Sequence, residues 1–181
     1  MGTQIELIVG LGNPGPEYAT TRHNAGFWFA DLLAKENGGR FTSTRKLQGD
    51  SAEIKIAGHR IRLLKPMTYM NSSGQSVSAT INYYKIPAEH VLVAYDELDL
   101  APGRVQLRFD GGSAGHNGIA NVIEHIGTKF WRLRFGVGHP RDSEQTSGRK
   151  PVIDHVLERG AELAKNRLHV RKSKPTDPEE D

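Results

Sequence analysis

The 181-residue chain is 36% hydrophobic and 25% charged, with a formal net charge of +3, a composition that suits one soluble globular domain with a real core. It has no cysteine, which excludes disulfides and thiolate metal sites, and no apolar run near the roughly 20 residues that span a bilayer. Met1-Gly2-Thr3-Gln4 has neither a charged leader region nor a long apolar one, so no signal peptide and a cytoplasmic location are expected.

Ile5 to Gly10 reads as a buried strand, short, rich in β-formers and closed by glycine. A long turn-rich loop follows and ends in Arg22-His23-Asn24. From Asn24 to Asn37, apolar residues at helical spacing (Ala25, Phe29, Leu32, Leu33) predict a helix that Gly38-Gly39 stops. Residues 40–50 are polar and read as irregular, whereas Ala52–Ala57 and Arg60–Leu64 alternate around Gly58-His59 as a hairpin. A second polar loop, 65–74, leads into a helix over 74–85 with Val77, Ile81 and Tyr84 on one face, ended by Pro87. His90 to Ala94 is another buried strand and runs straight into Tyr95-Asp96-Glu97-Leu98-Asp99. Arg104 to Phe109 alternates as a strand with one exposed face.

A third polar loop, Asp110 to Gly118, precedes a helix to about Ile126, and Arg132 to Gly138 is a strand. Val152 to Leu157 reads as a short helix or turn, Ala161 to Leu168 as helix, and residues 171–181 as a disordered, charged tail. Interleaved strands and helices without internal repeats predict a single α/β domain over 1–170.

Gly10-x-Gly12-x-x-Gly15 has the form of a dinucleotide fingerprint after a strand. Its context fails: Pro14 and Pro16 flank the third glycine, and the helix waits until Asn24 instead of opening at the loop. His23 is the chemically interesting residue there, because a neutral imidazole can take a proton from water at pH 7. A carboxylate that fixes its tautomer completes such a base, and Asp96, at the end of a buried strand, is the best candidate. Asn13, Asn71 and Asn117 each lie in a polar loop beside glycine or serine. Amides that both donate and accept suit a peptide backbone and can steady an oxyanion. His116 and His139 could join His23 and Asp96 as metal ligands, but no pair has HxxxH-type spacing, so no metal or other cofactor is expected. The Gly-x-Ser-x-Gly spacing occurs at Gly111 to Gly115, inside the third polar loop and not on a tight strand-to-helix turn, so water activated by an imidazole–carboxylate pair is preferred to a serine nucleophile. Residues 104–150 hold eight basic and four acidic side chains, a bias that suits a phosphate-rich partner.

Several stretches resemble the bacterial peptidyl-tRNA hydrolase family: Ile8-Val9-Gly10-Leu11-Gly12-Asn13-Pro14-Gly15, Thr21-Arg22-His23-Asn24-Ala25-Gly26, Met70-Asn71, Asp96-Glu97-Leu98-Asp99, Gly115-His116-Asn117-Gly118 and Gly138-His139-Pro140. The resemblance implies a monomeric three-layer α/β/α sandwich with a mixed, mostly parallel twisted sheet. It implies hydrolysis of the ester between peptide and tRNA in the cytoplasm, with no membrane, metal or cofactor. By motif, His23 matches the base, Asp96 the carboxylate that orients it, and Asn13 an amide near the ester. Asn71 and Asn117 match asparagines that hold the peptide, Tyr18 and Met70 line the cleft, and Arg108, Arg134 and Lys150 fall where the family contacts tRNA phosphates. In this chain Asn166-Arg167-Leu168-His169 follows Val156-Leu157 sooner than the family pattern has it, so a shortened C-terminal helical part is expected. The alternative is a non-catalytic RNA-binding relative of the same fold.

Overall fold

The computed structural model describes residues 4–18, 21–136 and 149–169. Its strands are β1 (Leu7–Gly10), β2 (Thr42–Thr44), β3 (Gly49–Ile56), β4 (His59–Pro66), β5 (Val91–Asp96), β6 (Val105–Phe109) and β7 (Trp131–Phe135). Its helices are α1 (Ala25–Glu36), α2 (Ser73–Tyr84), α3 (Asn117–Ile126) and α4 (Arg149–His169). The strands form one mixed sheet in the order β2-β3-β4-β1-β5-β7-β6. Its centre, β4-β1-β5-β7, is parallel throughout, and antiparallel pairings add β3 and β2 at one edge and β6 at the other.

Alternation along the central strands sorts the core into two layers, as a period of two requires. Ile8 of β1 and Leu92 and Ala94 of β5 face a layer that includes Phe29 and Leu33 of α1 and Ala161, Ala164 and Leu168 of α4. Leu7 and Val9, with Val91, Val93 and Tyr95, face Val77 of α2 and Ile119 and Val122 of α3. The result is the expected three-layer sandwich. Its parallel strands are covered on both faces, which explains why β1 and β5 read as unbroken apolar runs.

Glycine brings β1 and α1 into direct contact. A Cβ at Gly10 would lie 2.1 Å from the Gly26 carbonyl oxygen, and one at Gly26 would lie 2.4 Å from the Ala94 carbonyl oxygen. Gly10, the first glycine of the fingerprint-like spacing, therefore serves backbone packing.

Three expectations are revised. Residues 40–50 contain β2 and a 3-10 turn, Arg45–Leu47, because Thr42 and Thr44 pair with Ser51 and Gly49. The hairpin turn is centred on Ala57-Gly58, both at positive φ, one residue earlier than the alternation suggests. The C-terminal region is one continuous helix, α4. Gly160 sits within it because a Cβ there would meet the Phe135 ring at 2.6 Å, so this glycine lets α4 lie close on β7. The expected tail, 171–181, and Gly138-His139-Pro140 lie outside the described residues. No helix among the described residues is long and apolar enough to cross a membrane.

Candidate active site

The parallel strands β1, β4 and β5 end at Gly10, Pro66 and Asp96, and the loops leaving those ends converge beyond the sheet. This carboxyl edge is where open α/β sheets bind ligands. A cavity of about 220 Å³ lies there, lined by His23, Met70, Asp96, His116 and Asn117 among others.

Asp96 is the centre of the charge arrangement. It is 2% exposed, and its two oxygens take separate partners: His23 Nδ1 lies 2.7 Å from Oδ2 and His116 Nε2 lies 3.2 Å from Oδ1. Burial opposes ionisation, but the hydrogen bonds from His116 and His23 outweigh it and hold the carboxyl at about 2. An ionised carboxylate only accepts, so both ring nitrogens that face it donate.

For His116 the tautomer is fixed twice over. It is the N-cap of α3, and its Nδ1 accepts from the Ile119 N–H at 3.1 Å, so the proton is on Nε2. Tyr95 packs edge-on against the same ring with centroids 4.9 Å apart.

His23 stands in the opposite sense. It lies on a 3-10 turn, Arg22–Asn24, directly before α1, and its side chain is 55% exposed. With Nδ1 donating to Asp96, its Nε2 is the lone-pair nitrogen. The hydrogen bond to Asp96 raises its pKa above the ordinary 6.5, against the opposing effect of partial burial. This is the geometry of an oriented base: one nitrogen held, the other available to a proton.

Asn13 is held with equal definition. Its Oδ1 accepts from the Met70 N–H at 2.6 Å, which leaves its Nδ2 group as the donor still to be used. Buried Asn24 fixes its main chain: Asn24 Oδ1 accepts from the Asn13 N–H at 2.8 Å, and Asn24 Nδ2 donates to the Asn13 carbonyl at 3.0 Å. Met70 joins the β1 loop to the start of α2 through its main chain and lines the cavity with its side chain.

Of the remaining candidates, Asn117 lines the cavity and is exposed at the first position of α3. Asn71 is exposed on the 3-10 turn Met70–Ser72, and Tyr18 is half-buried with its carbonyl accepting from Thr21; neither is among the residues lining this cavity.

Beside the first cavity lies a smaller one, about 100 Å³, lined by Tyr95, Arg108, Asp110, Arg132 and Arg134. Arg108 is exposed. Arg134 is 12% exposed and committed, with Nη1 donating to Gln106 Oε1 at 2.6 Å and Nη2 lying 3.1 Å from Glu97 Oε2. The Lys150 side chain lies outside the described ones.

Sequence reasoning missed Asn24, Arg132 and the role of His116. Arg132 is fully buried and donates to the Gly111, Gly112 and Thr128 carbonyls at 2.7, 2.7 and 3.1 Å, so it shapes the loop that delivers His116 and Asn117. Its signal is an arginine within a buried strand, where a guanidinium is tolerated only with partners such as these carbonyls. Among the described residues no group of three His, Cys, Asp or Glu side chains is arranged to hold a metal ion. His139 lies outside them.

Residues 7–174 match the family model described as peptidyl-tRNA hydrolase. Among solved structures, the chain is similar to an arginine-to-glutamine variant of peptidyl-tRNA hydrolase from Acinetobacter baumannii. The two are 44% identical, with a TM-score of 0.86 over 93% of this chain and 91% of that one. Peptidyl-tRNA hydrolase from Acinetobacter baumannii is also similar, at 42% identity and a TM-score of 0.80 over 93% and 96%. The 5′-methylthioadenosine nucleosidase of Arabidopsis thaliana, 12% identical with a TM-score of 0.59 over 93% and 98%, shares the fold alone.

Proposed function

The chain belongs to the peptidyl-tRNA hydrolase family, and we propose how it cleaves the ester between a peptide and the 3′ end of tRNA. His23 Nε2 takes a proton from water as the water oxygen attacks the ester carbonyl. Asp96 stabilises the imidazolium that forms, and the free Nδ2 donor of Asn13 stabilises the oxyanion. The tetrahedral intermediate then expels the ribose oxygen, which takes the proton back from His23. The products are a free peptide carboxylate and tRNA with its terminal hydroxyl restored.

Asn71 and Asn117 hold the peptide through its amide groups, with Met70 and Tyr18 beside them. An unacylated amino group gives those amides no matching partner, which spares ordinary aminoacyl-tRNA. Arg108, Arg134 and Lys150 contact tRNA phosphates without reading sequence, and the enzyme acts as a monomer. Arg134 is already paired with Glu97, whereas Arg108 is exposed and presents its guanidinium to solvent.

The observation that carries this reading is the 2.7 Å contact from His23 Nδ1 to a buried Asp96 that His116 holds from its other side. The test is release of an N-acetylated amino acid from tRNA, with the free aminoacyl-tRNA and a chelator-treated sample as comparisons. Rapid release from the acetylated substrate alone, unchanged by chelator, is expected. Absence of turnover by the wild type overturns the enzyme reading, and loss of activity in chelator overturns the His–Asp mechanism.

A further inference from the structure

We infer that Asn121, on the second turn of α3, is a positioning residue that sets the spacing between Asn71 and Asn117. The inference rests on the function proposed above, in which those two amides hold the peptide. α2 begins without a cap of its own: Ser72, at its N-cap position, makes no side-chain bond to the helix. A helix start of that kind leaves main-chain N–H groups in need of partners. The Gly74 N–H donates instead to Asn121 Oδ1 at 2.7 Å, so α3 caps α2 from across the helix interface.

The helices meet here almost backbone to backbone. A Cβ at Gly74 would lie 2.4 Å from the Asn121 carbonyl oxygen and 2.6 Å from His125 Nδ1. That carbonyl is itself occupied, accepting from His125 Nδ1 at 2.9 Å. One turn nearer the cavity the fit is as close: a Cβ at Gly118 would lie 2.6 Å from Met70 Sδ.

The placement follows from the helical repeat. Asn117 precedes Asn121 by four residues and so lies one turn away on the same side of α3. Asn71 precedes Gly74 by three, on the 3-10 turn that α2 continues. The 2.7 Å bond therefore ties the turn that carries Asn71 to the helix that carries Asn117, one step behind both. Asn71 and Asn117 are exposed, so their supporting segments set the distance between them. Loss of the tie loosens that distance and weakens peptide binding through lost preorganisation. The chemistry is insulated from this change. Met70 keeps its bond to Asn13, and its carbonyl keeps the bond from Ser73 Oγ at 2.8 Å.

The test is steady-state kinetics on N-acetylated dipeptidyl-tRNA with Asn121→Ala and Asn121→Asp. Asn121→Ala is expected to raise KM about threefold to tenfold, the effect of one net hydrogen bond, with kcat changed by less than about twofold. Asn121→Asp keeps an acceptor facing Gly74, at the favourable end of the α2 dipole, and is expected to restore the wild-type KM. An unchanged KM in Asn121→Ala overturns the inference, as does a loss of kcat that merely follows the folded fraction. If Asn121→Ala does not fold, Asn121→Gln, which carries its amide one methylene too far, replaces it: a raised KM supports the inference and an unchanged KM overturns it. Asn71→Ala and Asn117→Ala are measured alongside. If neither raises KM, the peptide-binding reading fails; if they do and Asn121→Ala does not, this inference alone fails.

Discussion

Replacing Asp96 by Asn removes one charge and almost no volume, yet it contradicts both partners at once. The carboxylate accepts from His23 at 2.7 Å and from His116 at 3.2 Å. A carboxamide has one accepting oxygen and one donating NH2 group. His116 cannot yield, because its Nδ1 is held as an acceptor by the Ile119 N–H and its proton stays on Nε2. The amide oxygen must then face His116, and the NH2 group must face His23. His23 answers by moving its proton to Nε2, which converts the nitrogen that should take a proton from water into a donor. Wrong tautomer and lost counter-charge together predict a fall in kcat of about 10²- to 10⁴-fold, or roughly 3–5 kcal/mol in the barrier. KM should stay close to that of the wild type, since Asp96 is 2% exposed and makes its bonds to the two histidines. The assay is release of labelled N-acetyl amino acid from tRNA under saturating substrate, with circular dichroism to confirm folding. A folded Asp96→Asn enzyme within tenfold of the wild-type kcat would show that the His23 tautomer is not set by Asp96.

Other consequences can be read with the same assay. The pKa of His23 is raised by Asp96, and only neutral His23 is a base, so kcat/KM should fall as pH drops through a midpoint above 6.5; a midpoint at or below 6.5 contradicts the assigned hydrogen bond. Asp96 contributes no limb there, because its carboxyl, held at about 2, stays ionised across the whole range. Asn13→Ala should lower kcat by about 10²- to 10³-fold with little change in KM, the mark of a group used in the transition state; a change in KM alone would move Asn13 from oxyanion stabilisation to binding. Arg108→Ala should weaken tRNA binding at low salt and reduce the slope of log affinity against log salt by about one; an unchanged slope would remove Arg108 from the phosphate contacts.

How much of this was legible in the sequence depended on which force set each element. β1 and β5 are buried on both faces, so their apolar runs declared them, and α1, α2 and α3 followed from helical spacing. Residues 40–50 gave no such signal, because β2 is a three-residue edge strand whose existence depends on pairing with β3 and not on its own pattern. Val152–Leu157 and Ala161–Leu168 read as separate pieces, whereas α4 runs through both, with Gly160 packed against Phe135 between them.

Loop position, residue chemistry and the family resemblance together singled out His23, Asp96, Met70 and Asn117, which the structure brings around one cavity, and Asn13, which it bonds to Met70. The hydrogen bonds that orient them were not, since they join residues far apart in the chain: Met70 to Asn13, His116 to Asp96, and Asn121 to Gly74. The role of His116 was hidden because a histidine's tautomer cannot be seen in sequence, and the α3 N-cap is what fixes it. Arg134 was placed among the tRNA contacts by the resemblance, and its pairing with Glu97 was not legible because it depends on the β5–β7 register.

Everything in the proposed mechanism turns on His23 activating the water. Single-turnover cleavage of N-acetylaminoacyl-tRNA by wild-type enzyme and by His23→Ala tests it most directly, because that measurement separates the chemical step from product release. His23→Ala should bind the substrate with nearly wild-type affinity and cleave it about 10²- to 10⁴-fold more slowly. Cleavage by His23→Ala at the wild-type rate would contradict this role.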